Sequence, residues 1–311
     1  MLTESEKHIS KIGIGSYGIG GRGHRDVELT ELEDDRVYID ALVYTLQQGS
    51  NFTEISLGYG HGNALRLFKQ ALEESGIARE DLFITNSLYP RDLPTFDEVK
   101  KDVEEFYRIM RTDYADSTLI TQSLVAKFGE VEVYAYLHQL LDSGRTRFVS
   151  LSNASADFIK AFKKEFRDKF IAHEGHLSFE VRALQDQGIF ETCDDLGVTN
   201  IIWRPLRRNM TEGNNWPLLS ELAEKYGKTQ NQIILNWITH LGYYPMVMSA
   251  NKEHIDENLA STNFQMSQED YKRMTDFRPP NYKSPQVDWD KSGNGVSIVT
   301  LVTDFEKHIE K

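Results

Sequence analysis

The stretch NFTEISLGYGHGNALRLFKQAL, residues 51–72, decides how the chain is read. Phe52 to Ser56 reads as a buried strand, Gly58, Gly60 and Gly62 as a turn, and Asn63 to Ser75 as a helix. The turn places one carboxyl and one phenol, Glu54 and Tyr59, near the C-terminal end of the strand. The same order of strand, turn and helix recurs outward from here in both directions.

Strands are expected at Lys11–Ser16, Asn51–Ser56, Asp81–Leu88, Tyr114–Thr121, Arg147–Leu151, Phe170–Glu174, Asn200–Trp203 and Pro245–Ser249. Helices are expected between them: Arg36–Gln48, Asn63–Ser75, Glu130–Leu141, Ala156–Phe166, Gly188–Leu196, Leu218–Tyr226, Gln230–His240 and Lys252–Ser261. One further helix opens at a capping box of Thr95 and Glu98, and its apolar face is Val99, Val103, Phe106 and Met110. Strands alternating with helices imply a parallel sheet, and eight such units close into a (β/α)8 TIM barrel. No linker divides the chain, so residues 1–311 read as a single domain. The polar tail 278–311, with Pro279, Pro280 and Pro285, is expected to wrap over one end of the barrel.

The 311 residues are 40% hydrophobic and 27% charged, with a net charge of −13. That charge argues against nucleic acid, whose phosphates select basic surfaces, and against anionic membranes. No run reaches the roughly 20 apolar residues of a membrane helix. The opening MLTESEKHIS lacks the apolar core of a signal peptide, and one cysteine, Cys193, allows no internal disulfide. The simplest location is the cytoplasm. GIGSYG at 13–18 satisfies G-x-G-x-x-G, but Gly20, Gly21 and Gly23 follow where a phosphate-binding helix would have to open.

The segments GIGSYGIGG, GYGHGN, TDYADSTLI, SGRTRFVSLSN, IIWRPL, LAEKYGKTQNQIILNWI and NKEHIDENL stand in one order over residues 11–275. Together they resemble the aldo-keto reductases. The resemblance implies a nicotinamide cofactor across the barrel mouth and a tetrad of Asp, Tyr, Lys and His that reduces a carbonyl. In that set Tyr protonates the carbonyl oxygen, Lys lowers the phenol's pKa from its ordinary value near 10, and His polarises the carbonyl. By position the Tyr is Tyr59 and the Asp is Glu54, while Ser87 stands for Lys and Thr121 for His. The resemblance also implies that Ser152, Asn153 and Glu174 hold the nicotinamide carboxamide and that Trp203 stacks on its ring. Glu257 and Asn258 match adenine contacts. The 2′-phosphate clamp retains Ser249, with Met248 and His254 in place of Lys and Arg and Lys252 nearby. NADP(H) is the expected cofactor, with NAD(H) or none as alternatives.

Other readings stand beside this one. Without the lysine, desolvation should raise the pKa of Glu54, so that a protonated carboxyl relays through Tyr59; or Glu54 caps a buried polar cluster. His61 in the glycine turn is either a replacement imidazole or an exposed loop residue, and Arg204 either a replacement charge or a surface ion-pair partner. His173 and His176 flank Glu174 without a third ligand motif, so no metal is expected. Trp216, Tyr89 and Gln122 are candidates for shaping the pocket. The functional expectation is an NAD(P)(H)-dependent oxidoreductase acting on a small carbonyl or alcohol with an altered proton-transfer site. The alternatives are an inactive barrel with a binding or regulatory role, or a redox-neutral lyase or isomerase.

Overall fold

A computed structural model of the chain describes residues 9–90, 93–280, 282, 287 and 289. Its parallel strands follow one another round a closed barrel: β1 (Gly13–Ile14), β2 (Phe52–Ile55), β3 (Phe83–Leu88), β4 (Ala115–Thr121), β5 (Thr146–Ser152), β6 (Phe170–His176), β7 (Thr199–Trp203) and β8 (Tyr244–Val247). The ring closes where Gly13 pairs with Met246 and Ile14 with Val247. The helices outside it are α1 (Asp35–Gln47), α2 (Asn63–Ser75), α3 (Phe96–Met110), α4 (Gln122–Phe128), α5 (Glu130–Asp142), α6 (Ala156–Phe166), α7 (Ala183–Asp186), α8 (Ile189–Asp195), α9 (Met210–Gly213), α10 (Pro217–Tyr226), α11 (Gln230–His240), α12 (Lys252–Leu259) and α13 (Gln268–Asp276). This is the (β/α)8 barrel expected from the sequence. Among the described residues no helix is long and apolar enough to cross a membrane.

Strand periodicity explains how the barrel interior is layered. Residues two apart share a face. Phe52, Phe83, Ala172, Ile201 and Met246 belong to one buried apolar cluster inside the barrel. Two residues further along their strands stand Glu54, Thr85, Glu174, Trp203 and Met248. The lower interior is therefore a hydrocarbon plug, and the polar groups come one layer higher. The second, larger cluster lies between sheet and helices. In α2, Leu65, Phe68 and Leu72 are buried at helical spacing, while Lys69 faces out and pairs with Glu73. Each such buried side chain contributes about 1.5–3 kcal/mol.

Several expected boundaries move, for local reasons. β1 is only Gly13–Ile14, because the glycine-rich segment beyond it turns away; a Cβ at Gly13 would lie 2.3 Å from the ring of Phe52. No helix opens after Gly18, and the chain instead makes a bridge from Gly18 to Gly21 and another from Arg22 to Thr30. β8 ends at Val247, so Ser249 lies beyond the strand. β6 runs on to His176. Helix α4 was not foreseen: Thr121 ends β4 and its hydroxyl accepts the Leu124 N–H at 3.2 Å, starting a helix with no intervening loop. The expected wrapping of the tail falls, beyond Pro280, almost wholly outside the described residues.

The glycine turn after β2 is held against the glycine loop after β1. The Gly60 N–H donates to Gly23 O at 2.9 Å. Gly60 has φ +56, and a Cβ there would sit 2.8 Å from Ile19 O, with the carbonyls of Gly20 and Gly21 little further away. Only glycine tolerates both the left-handed backbone and this approach. Gly60→Ala is expected to destabilise the fold by about 1–3 kcal/mol, read as a lower midpoint in urea unfolding. Gly76→Ala, where nothing lies within 4 Å, should cost about 1 kcal/mol from its backbone angle alone.

Candidate active site

Glu54 leaves β2 pointing into the polar layer above Phe52. Its main chain is fixed by the Ser16 hydroxyl, which donates to Glu54 O at 2.5 Å. Its carboxyl is 5% exposed and is met by hydroxyl groups. Tyr59 reaches it at 3.1 Å and 3.3 Å to its two oxygens, Tyr89 at 3.5 Å, and Ser87 makes a short contact with Oε1. The Tyr59 and Tyr89 hydroxyls are themselves 3.1 Å apart. Burial pushes the Glu54 carboxyl up to about 7, against the pull of its hydroxyl donors. Burial, then the neighbouring Glu54 charge, raises the phenols of Tyr59 and Tyr89 well above their usual value. The usual remedy for a buried carboxylate is a cation. Here its partners are the hydroxyls of Ser87, Tyr59 and Tyr89, and the remedy is the proton kept on the acid.

Glu54, Tyr59 and Tyr89 open into a cavity of about 470 Å³ at the mouth of the barrel. Ser152, Asn153, Glu174 and Trp203 line the same space. Ser152 ends β5. Asn153 follows with φ +54, and its N–H donates to Glu174 O at 3.4 Å. Glu174 is buried, and its carboxyl is raised well above the usual range by burial and then by Glu54. Trp203 pairs across the sheet with His176, and the two rings stack at 4.6 Å with 16° between their planes. Burial, with Arg204 and Arg207 next, pushes His176 well below its ordinary value, so the indole rests on a neutral imidazole.

The remaining expected residues are dispersed. Thr121 is buried, with its hydroxyl 2.8 Å from Ser123 Oγ and committed to the cap of α4. Ser249 and Asn258 line a narrow cleft of about 20 Å³, room for about one water, between β1, α1 and α12. Met248 borders both spaces. His254 is exposed on the first turn of α12, and Glu257, half-buried, accepts the Gln232 amide at its main-chain carbonyl. His61 is exposed, its Nε2 lying 3.1 Å from His24 O and 2.8 Å from Val27 O. Gln122 accepts the Ser155 N–H at 3.0 Å, and Trp216 donates to Glu180. Cys193 is buried in α8, with its thiol raised by burial. Among the described residues no group of three or more His, Cys, Asp or Glu could hold a metal ion.

Further residues line the cavity, and of these Arg204 had been singled out in the sequence as a possible replacement charge. Arg22, Arg204, Arg207 and Arg208 form one wall of the cavity, and His24 and Tyr17 form part of another. Arg22 and Arg208 share the single carboxylate of Glu31, and Arg207 pairs with the buried Glu180. The available signal was density: the RPLRRN run and the glycines at 18–23 bracket them.

An eight-stranded parallel barrel with its polar groups gathered at one mouth has the architecture of the TIM-barrel enzymes. The chain belongs to the aldo/keto reductase family, whose family model matches residues 11–279. It is similar to the glyoxal reductase of Bacillus subtilis, 25% identical over 257 residues, covering 79% of this chain and 90% of that protein. It is also similar to the methylglyoxal reductase of Yersinia pestis, 27% identical over 231 residues, covering 72% and 82%. A thermostable aldo-keto reductase solved with the inhibitor epalrestat superimposes with a TM-score of 0.75 at 24% identity, covering 86% of this chain and 94% of that one.

The raised Glu54 carboxyl has a consequence for stability. The folded protein keeps a proton that the unfolded chain releases at about 4.5, so this stabilisation is complete below pH 4.5 and is lost as pH rises through about 7. In urea unfolding, the stability of wild type relative to Glu54→Gln should fall by about 2–4 kcal/mol between pH 4.5 and 8. The difference between the two proteins isolates Glu54 from Glu174 and His176, whose shifts act in opposite directions on the absolute curve.

Proposed function

We propose that this chain is an NAD(P)H-dependent carbonyl reductase in which the Glu54–Tyr59 pair delivers the proton. The observation that carries this reading is the meeting, in one cavity, of that pair with Ser152, Asn153 and Trp203 and with the arginine wall. The donor set fits a pyridine dinucleotide. Serine and asparagine amide groups suit a carboxamide, an indole face suits a nicotinamide ring, and guanidinium groups suit a pyrophosphate. The place of a 2′-phosphate clamp holds Met248, with Ser249, Lys252 and His254 near it, a thinner cation set than an arginine fork. NADP(H) remains the favoured form, with a small margin over NAD(H).

When bound, the nicotinamide supplies the hydride. The chain's own residues handle the proton. Tyr59 donates its hydroxyl proton to the carbonyl oxygen, and the Glu54 carboxyl returns one to Tyr59 across the 3.1 Å contact. Half-buried Tyr89 contacts both and continues the hydroxyl chain along the cavity lining. The phenol alone is a poor acid at its raised pKa, so the carboxyl is the working proton store. The names of the relatives point to small dicarbonyls, and methylglyoxal is the first substrate to try. The commitment of the Thr121 hydroxyl to a helix cap favours a second reading, a binding barrel without turnover.

Saturable quenching of tryptophan fluorescence should accompany both NADPH and NADH, with dissociation constants within about tenfold of each other. Trp203→Phe should remove most of the quenching. With methylglyoxal, kcat should fall as pH rises above about 7, where Glu54 loses its proton, and Tyr59→Phe should lower kcat about 10²–10⁴-fold. No quenching by either nucleotide would defeat the cofactor reading. Wild-type turnover that survives Tyr59→Phe would defeat the assigned proton path.

A further inference from the structure

Two acids share one layer of the barrel interior, and the chain treats them differently. The Glu54 carboxyl is met by the hydroxyls of Ser87, Tyr59 and Tyr89. The Glu174 carboxyl has no hydrogen-bond partner among the described residues, although the residue is only 2% exposed. Asn153 meets its main-chain carbonyl instead. A buried acid left without a partner is costly. Glu174 lines the cavity, so what enters the cavity is the partner it can still find.

Sheet register says where Glu174 stands. It pairs with Ser152 on β5 and with Ile201 on β7, and Trp203 follows Ile201 on the same face. β6 therefore runs between the strand that ends in Ser152 and the strand that ends in Trp203. Neighbouring strands are about 4.8 Å apart. A flat ring that rests on the Trp203 indole while its amide reaches Ser152 or Asn153 has to cross Glu174. The other charged or ionisable groups round the cavity come from further off in the ring of strands. Glu54, Tyr59 and Tyr89 come from β2, β3 and the turns after them, Arg22 and His24 from the loop after β1, and Arg204, Arg207 and Arg208 from the loop after β7. β5 and β8 add Ser152, Asn153 and Met246, which do not titrate. Burial first, and then Glu54, raises the Glu174 carboxyl well above its usual range.

We infer that Glu174 decides which redox form of the nicotinamide the site prefers: as a neutral acid it leaves the uncharged ring of NAD(P)H favoured, and as a carboxylate it favours the cationic ring of NAD(P)+. This rests on the reductase reading above. A positive ring beside the carboxyl lowers its pKa, whereas a neutral ring does not. Binding of NAD(P)+ therefore drives the Glu174 proton into solvent, and affinity for NAD(P)+ rises with pH. Affinity for NAD(P)H does not follow it. In carbonyl reduction the hydride carries two electrons to the carbonyl carbon, the proton comes through Tyr59, and the ring left behind holds one positive charge. Below neutrality the site thus favours the reduced cofactor and carbonyl reduction, and with Glu174 ionised it favours the oxidised cofactor and alcohol oxidation.

The test is a pair of dissociation constants, for NADP+ and NADPH, followed by tryptophan quenching from pH 6 to 9. Both nucleotides carry the same phosphates, so their ratio cancels the titration of phosphate and the pull of the arginines. The ratio of the NADP+ constant to the NADPH constant should fall about 10–100-fold across that range in wild type. It should change less than about threefold in Glu174→Gln, which has the same shape and no charge. Glu54→Gln should keep the fall, which separates the two acids, and the Glu174→Gln comparison also removes any share of His24. A second reading needs no variant: in weak buffer with an indicator dye, wild type should release more protons on binding NADP+ than on binding NADPH. Equal release would overturn the inference. So would a wild-type ratio that stays flat, or a fall that persists in Glu174→Gln or vanishes in Glu54→Gln alone; the reductase reading then stands, because both nucleotides bind. If neither nucleotide binds, both fall.

Discussion

The solvation of one buried carboxyl governs the chemistry of this barrel. Glu54 sits directly above an apolar plug, where an isolated charge is costly. A cation alongside would keep it ionised; hydroxyl groups make a weaker offset. Ser87, Tyr59 and Tyr89 supply hydrogen bonds without charge, and the carboxyl responds by keeping its proton to about neutral pH. An acid that titrates near the working pH is the condition for efficient proton transfer. Its contacts being hydroxyls, the acid beside Tyr59, rather than the phenol itself, is the group that titrates near neutrality. The longer arm of glutamate suits this role, since its carboxyl contacts both phenols at once.

The wider electrostatics follow the same division. The chain carries a net charge of −13, yet one wall of the cavity is built from Arg22, Arg204, Arg207 and Arg208. Glu31 answers two of them with one carboxylate, and Glu180 answers a third from the interior. Burial raises the carboxyls of both Glu54 and Glu174 in the same space, which favours their neutral forms.

The barrel was legible because it rests on periodicity. The turn at 58–62, the helix Asn63–Ser75, the helix Ala156–Phe166 and the Thr95–Glu98 capping box all stand where the residue pattern puts them. Glu54, Tyr59, Ser152, Asn153, Glu174 and Trp203 could be nominated because they lie near the C-terminal ends of strands or in the turns that follow, and these line one cavity at the mouth. The errors have equally local causes. Thr121 was read as a strand-end catalytic position, yet a threonine at a strand-to-helix junction is also an N-cap, and α4 takes its hydroxyl. That His24 lines the cavity was not foreseen, because its place depends on contact between two glycine loops far apart in sequence, which no period encodes. His61 drew notice as a possible imidazole in the site; its ring instead grips the main chain of the loop that bears His24. The expected adenine and 2′-phosphate contacts were the least legible, since Ser249 and Asn258 border a separate narrow cleft, with Met248 lining both spaces.

The central claim is that Glu54 is a neutral acid in the resting protein below neutrality. Infrared difference spectra of wild type against Glu54→Gln test it directly, because a protonated carboxylic acid and a carboxylate absorb at separate frequencies. At pH 6 the wild type should show an acid carbonyl band missing from the variant, and that band should give way to carboxylate with a midpoint at about 7. A carboxylate band assigned to Glu54 at every pH from 5 upward would contradict the account.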